Sequence, residues 1–205
     1  MTSNSLEMFL NSDEKMFPLE KGKIMSLNGN KLAIPEWEVI ATRNTIQDNV
    51  EKIADNLDKH YASVQPIYAL CILKGGFRFY SDLLKEMKSV VEVGFAFASS
   101  YGHEENPGRI NVNISKIGDI TNKHVLVIDD ICDTGRTLAA VVHVLEGENP
   151  ASIKTCTFLL KKSTEIFTPD FHCMKVDNDV FCAGYGMDYK GYARNFPFIV
   201  AKPKE

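Results

Sequence analysis

No apolar run in this 205-residue chain approaches the length needed to cross a bilayer. The first ten residues, Met1 to Leu10, have neither a basic start nor a long apolar core, so no signal peptide is expected. Basic residues are not in excess. The net charge of −4 excludes a global field suited to nucleic acid. The five cysteines (Cys71, Cys132, Cys156, Cys173, Cys182) are odd in number and form no Cys-x-x-Cys. They read as reduced thiols in the cytoplasm, not as a disulfide frame or a zinc site. No Gly-x-x-x-x-Gly-Lys occurs, so there is no Walker loop. Internal repeats and low-complexity segments are absent too. What remains is an ordinary globular composition, 44% apolar, in a chain long enough for one α/β domain with a sizeable core.

One stretch organises that domain: Val125-Leu-Val-Ile-Asp129-Asp130-Ile-Cys132-Asp133-Thr134-Gly135-Arg136-Thr137. Its four leading apolar residues, three of them β-branched, predict a strand buried on both faces. Leu138 to Leu145 predicts a helix that stops near Gly147 and Pro150. A strand, loop and helix in this order is how open α/β sheets bind ligands at the carboxyl ends of their strands. Thr134, Gly135, Arg136 and Thr137 would surround a phosphate with backbone N–H groups and hydroxyls at the helix N-terminus. Asp129 and Asp130 would repel that phosphate, so they should face a ribose diol or a metal ion. Together these features describe a sugar-phosphate site. The competing reading is an acidic turn with Asp133 as helix N-cap. Cys132 is read as a buried filler.

The same logic recurs earlier. Ile67 to Leu73 is a second buried strand, Lys74-Gly75-Gly76 follows, and Phe79, Leu83, Leu84 and Met87 continue at helical spacing. A glycine loop with one ammonium suits pyrophosphate, although Lys-Gly-Gly alone is a common turn. Upstream, Ile46, Val50, Ile53, Leu57 and Tyr61 predict an amphipathic helix, with capping-box spacing at Thr45 and Asp48. Val90 to Phe97 and Ser152 to Leu160 predict two further strands. Ser99 to Gly118 is long and polar, with a weak alternation at Ile110, Val112 and Ile114 that hints at a hairpin. So long a stretch beside a site is expected to be a lid. Turn signals at Asn28-Gly29-Asn30 and Pro35 mark the mixed N-terminal segment.

The central stretch resembles the phosphoribosyl-pyrophosphate (PRPP) motif of type I phosphoribosyltransferases. Leu73-Lys74-Gly75-Gly76, Ser100-Tyr101, Leu159-Leu160-Lys161-Lys162, and Gly184-Tyr-Gly-Met-Asp188-Tyr189 followed by Arg194 resemble the hypoxanthine-guanine branch, in that family's order. The resemblance implies a mostly parallel twisted sheet flanked by helices, with a core over about 38–165. A small hood would come from about 1–37 and 166–205, and a mobile lid from about 99–118. It implies Mg²⁺-dependent transfer of 5-phosphoribosyl from PRPP to hypoxanthine or guanine, giving IMP or GMP and pyrophosphate. Asp133 would be catalytic, accepting the proton of purine N7. Lys74 and Gly75 would bind pyrophosphate in a loop carrying a non-proline cis peptide, and Ser100 and Tyr101 would close the lid. Lys162 would donate to the purine 6-oxygen, Phe181 would stack on the base, and main-chain groups of Cys182 would read its edge. Asp188 would hold Mg²⁺, with Asp129 and Asp130 as further metal or diol ligands, and Arg194 would contact pyrophosphate. A homodimer or homotetramer is implied, with small-molecule partners and neither nucleic acid nor membrane. The alternatives are a transferase preferring xanthine or another base, and a PRPP-binding regulator of the same fold.

Overall fold

The computed structural model describes residues 24–27, 30–33, 37–100, 110–114, 117–162 and 166–203. In chain order the described elements are strands β1 (Ile24–Leu27), β2 (Asn30–Ala33) and β3 (Glu38–Ala41), helix α1 (Arg43–His60), β4 (Ile67–Leu73), α2 (Phe77–Glu86), β5 (Val91–Ser100), β6 (Ile110–Asn113), β7 (His124–Cys132), α3 (Arg136–Glu146), β8 (Ser152–Lys161), β9 (Phe171–Val176), β10 (Val180–Ala183) and β11 (Ile199–Pro203).

The apolar runs become the middle of a six-stranded sheet, ordered β6-β5-β4-β7-β8-β9, in which all neighbours are parallel except β6. These strands are apolar throughout because helices cover both faces. Ala69, Cys71, Leu126, Ile128 and Phe158 pack against α1 and α2, with Val50, Leu57, Phe79 and Leu83. Leu70, Ile72, Val125 and Val127 point the other way and meet Leu138, Val141 and Leu145 of α3. Strand alternation therefore builds two cores from one sheet. Each fully buried aliphatic side chain contributes about 1.5–3 kcal/mol.

The helix at residues 43–60 is capped one turn earlier than its spacing suggests. Thr42, not Thr45, is the N-cap: its Oγ1 accepts from the Thr45 N–H at 3.1 Å. Thr45 lies inside the first turn, where its hydroxyl bonds that of Thr42 at 2.9 Å.

A separate antiparallel sheet, β10-β11-β3, joins the tail to the segment before α1. It packs over Trp37, Ala183, Ala193, Phe196, Phe198 and Val200. The observed boundary of this hood differs from the expected one. Strand β9 lies within 166–205 yet pairs with β8 in the large sheet, and β3, inside the expected core, belongs to the hood. Strands β1 and β2 form an antiparallel pair with Leu27 opposite Asn30.

The expected lid is partly sheet. Ser100 pairs with Ile110 and Phe97 with Asn113, which is the hairpin hinted at by alternation. Ile117 is buried and its carbonyl accepts from the Tyr68 hydroxyl, so that end of the stretch is anchored. Tyr101 and the side chain of Ser100 lie outside the described residues. Among the described residues, no helix is long and apolar enough to cross a membrane.

Candidate active site

The central strand carries its acid pair further inside the sheet than expected. β7 continues past Asp129 and Asp130, and Ile131 and Cys132 still pair with Leu159 and Leu160 of β8. Asp129 is therefore only 6% exposed. Its Oδ1 accepts from the Asp130 N–H at 2.9 Å, and Asp130 Oδ1 accepts from the Ile131 N–H at 2.7 Å. Burial pushes both carboxyls above their ordinary range, and the neighbouring Asp130 charge adds to the effect on Asp129. The Arg194 guanidinium works against the rise at Asp130. Two buried like charges favour a partner that neutralises them: a proton, a cation or the hydroxyls of a diol.

After β7 the chain turns through Asp133 and Thr134 into α3. Gly135 is the N-cap residue, at φ +83°. A Cβ there would lie 2.3 Å from the Phe167 carbonyl oxygen, so conformation and close packing both require glycine. The Thr134 carbonyl accepts from the Ile166 N–H at 3.2 Å, which fastens the turn from behind. Gly135 has no side chain to cap α3, and the Thr134 Oγ1 accepts from the Arg136 N–H at 3.4 Å. The N-cap position falls on Gly135 and not on Asp133, which stands exposed in the turn.

The second glycine loop lies opposite. The Leu73–Lys74 peptide is cis, as the resemblance implies. A Cβ on Gly75 would lie 2.1 Å from Asp130 Oδ2, so the loop backbone sits directly against the acid pair. One cavity of about 320 Å³ is walled by Lys74, Gly75, Asp129, Asp130, the whole turn from Asp133 to Thr137, and Arg194 from the tail. The Cys132 thiol also reaches this wall. Burial, with Asp129 and Asp133 adding, raises it to about 11, so it stays protonated and unreactive at neutral pH.

The structure thus brings together Lys74, Gly75, Asp129, Asp130, Asp133, Thr134, Gly135, Arg136, Thr137 and Arg194. Lys162, Phe181, Cys182 and Asp188 are not in that wall; Lys162 directly follows β8 and the others stand on the hood. Asp188 Oδ1 accepts from Arg194 at 2.5 Å and Oδ2 from the Gly191 N–H at 2.9 Å. The other Arg194 arm donates to the Gly186 carbonyl at 2.7 Å. Lys162 is 61% exposed and pairs with the Asp177 carboxylate. Phe181 meets Trp37 and Tyr189 edge-on, each at 6.0 Å. Two features escape sequence reasoning. Trp37 gives no spacing signal towards Phe181, and Lys161, read as one of two lysines ending a strand, is buried.

The phosphoribosyl transferase domain family matches residues 36–190, the segment that holds the acid pair, both glycine loops and most of the hood strand β10 and its turn. The chain belongs to the phosphoribosyltransferase family. It is 34% identical over 165 residues to the hypoxanthine-guanine phosphoribosyltransferase of Streptococcus pneumoniae, covering 79% of this chain and 91% of that protein. It is 32% identical over 165 residues to the hypoxanthine-guanine-xanthine phosphoribosyltransferase of Tritrichomonas foetus, covering 78% and 88%. The crystal structure of a hypoxanthine-guanine phosphoribosyltransferase from Bacillus anthracis superposes with a TM-score of 0.73 at 29% identity, covering 80% of this chain and 97% of that one. In this phosphoribosyltransferase the mostly parallel sheet and the helices on both faces agree with the type I fold expected from sequence.

Proposed function

We propose that this phosphoribosyltransferase salvages 6-oxopurines, joining hypoxanthine or guanine to PRPP to give IMP or GMP and pyrophosphate. The observation that carries the reading is the single cavity shared by the acid pair, the Lys74–Gly75 loop and the Asp133–Thr137 turn. In the reaction the bond from C1′ to purine N9 forms as the bond from C1′ to pyrophosphate breaks. The ribose becomes oxocarbenium-like between them. The turn and the N-terminus of α3 suit the 5′-phosphate. Asp129 and Asp130 suit the diol, and their negative charge favours the cationic sugar. Lys74 with its loop, and Arg194, face the leaving group. Asp133 accepts the proton from N7 as N9 attacks. Phe181 stacks on the base, main-chain groups of Cys182 read its edge, and Lys162 donates to the 6-oxygen. Closure through Ser100 and Tyr101 would exclude water.

Mg²⁺ fits this donor set. Among the described residues there is no group of three or more potential metal ligands. Magnesium is commonly held by one or two carboxylates together with substrate oxygens, and the buried pair Asp129 and Asp130 is relieved by positive charge. Asp188 keeps lone pairs for a metal but is already bonded to Arg194 and Gly191. When bound, the ion offsets charge on the pyrophosphate. Turnover that is unchanged by chelation with EDTA would refute this assignment.

A homo-oligomer is supported by an uncovered apolar row. Val93, Phe95 and Phe97 alternate onto one face of β5 and are 55%, 47% and 53% exposed. The five cysteines are all free, which suits the reducing cytoplasm; recovery of the activity outside the soluble cell fraction would contradict that location.

The test is an assay of hypoxanthine, guanine, xanthine and adenine with PRPP and Mg²⁺. Xanthine is included because the Tritrichomonas foetus relative carries it in its name. Turnover of the 6-oxopurines but not adenine is expected. A charge-assisted bond from Lys162 is worth about 1.5–3 kcal/mol, so Lys162→Gln should weaken guanine use about tenfold or more. Preference for adenine, whose 6-amino group would face the ammonium, would refute the reading.

A further inference from the structure

Strand β8 ends in a lysine as deeply buried as the aliphatic residues before it. Lys161 is 2% exposed and follows Phe158, Leu159 and Leu160. Its ammonium has three N–H donors and no acceptor. It donates to the carbonyls of Asp177 at 3.1 Å, Asn178 at 3.4 Å, and Val180. Asp177 and Asn178 lie in the connection from β9 to β10, and Val180 opens β10. The link is reinforced at the main chain, where Lys161 pairs with Val176 and the Lys162 N–H donates to the Val176 carbonyl at 3.0 Å.

A buried ammonium is costly unless its donors are met. An aliphatic side chain would fill the same space without that cost. What the ammonium adds is direction: two carbonyls of a surface connection, on which Asp177 and Asp179 are exposed, and the first carbonyl of β10 converge on one point at the end of a core strand. Val180 is the first residue of β10, and Phe181 and Cys182 follow. Phe181 is 38% exposed and touches its aromatic neighbours only edge-on, so its backbone sets its place.

We propose that Lys161 is a positioning residue for the nucleobase. Its ammonium holds the main chain at 177–180 and thereby sets the ring of Phe181 and the peptide groups of Cys182, while Lys162 beside it makes the direct contact. This rests on the base site described under the proposed function.

Lys161→Met keeps the chain length and removes the donors. It should raise KM for guanine and for hypoxanthine together, by about tenfold, with KM for PRPP and kcat within about twofold. The preference for 6-oxopurines over adenine should not change. Amide hydrogen exchange over 177–182 should speed up in the free protein. Lys161→Gln, which keeps two N–H donors, should fall between Lys161→Met and wild type. Unchanged KM for the bases with unchanged exchange would overturn the proposal. A change in base selectivity would overturn it too, by making Lys161 a direct contact. Should Lys161→Met fail to fold, Lys161→Gln carries the comparison, and failure of both would assign a general structural role instead. The exchange measurement needs no substrate, so it stands apart from the salvage reading, which fails if wild type uses none of the four bases.

Discussion

Asp133→Asn separates catalysis from structure at the mouth of the cavity. The substitution keeps size and shape but removes the negative charge and the basicity. Asp133 is exposed, and Gly135 rather than Asp133 caps α3. Asparagine accepts hydrogen bonds as aspartate does and serves as well near a helix N-terminus, so the folding stability should change by no more than about 0.5 kcal/mol. The phosphate turn depends on Gly135 and on the bond from the Ile166 N–H to the Thr134 carbonyl, neither of which is touched. KM for PRPP should thus stay near wild type. Turnover should fall by roughly 10²–10⁴, the usual share of a positioned proton acceptor. At 1.36 kcal/mol per decade, that is about 2.7–5.4 kcal/mol of transition-state stabilisation. Initial rates with saturating PRPP and varied guanine, alongside thermal melting, measure both effects. Turnover within about threefold of wild type would refute a role in proton transfer.

Two further outcomes follow from the same geometry. Asp129 titrates above its ordinary value of 3.8 because it is buried beside Asp130. As pH rises from that value, the unfolded chain releases its proton before the folded one does, so the free protein loses stability. Asp129→Asn should therefore melt higher than wild type at pH 8, with the difference shrinking towards pH 4, and an equal melting temperature at both pH values would refute the burial argument. The apolar row on β5 should lie between two copies of the chain, so Phe95→Glu should shift sedimentation towards monomer at micromolar concentration; a monomeric wild type with full activity would remove the oligomer.

The strands were legible in the sequence because burial on both faces leaves an unmistakable mark. Ile67–Leu73 and Val125–Ile128 are unbroken apolar runs, and a chain can place such runs only in the middle of a covered sheet. The loops were legible for a similar reason, since Lys74-Gly75-Gly76 and Asp133 to Thr137 each sit at a strand end before a helical pattern. Helix α1 was legible in its body and not at its start: its apolar period survives any context, while the choice of Thr42 over Thr45 depends on which hydroxyl reaches an N–H. Only the tertiary structure could decide what meets across the chain. Sequence cannot show that Gly75 must be glycine because Asp130 lies against it, nor that β9 joins the large sheet while β3 joins the hood. The lysine that ends β8 and the lysine after it part most sharply. Lys161 and Lys162 are adjacent in sequence and identical in chemistry, yet Lys161 is the last residue of β8 and Lys162 the first beyond it. Lys161 turns inward to three main-chain carbonyls, and Lys162 turns outward to solvent and the Asp177 carboxylate.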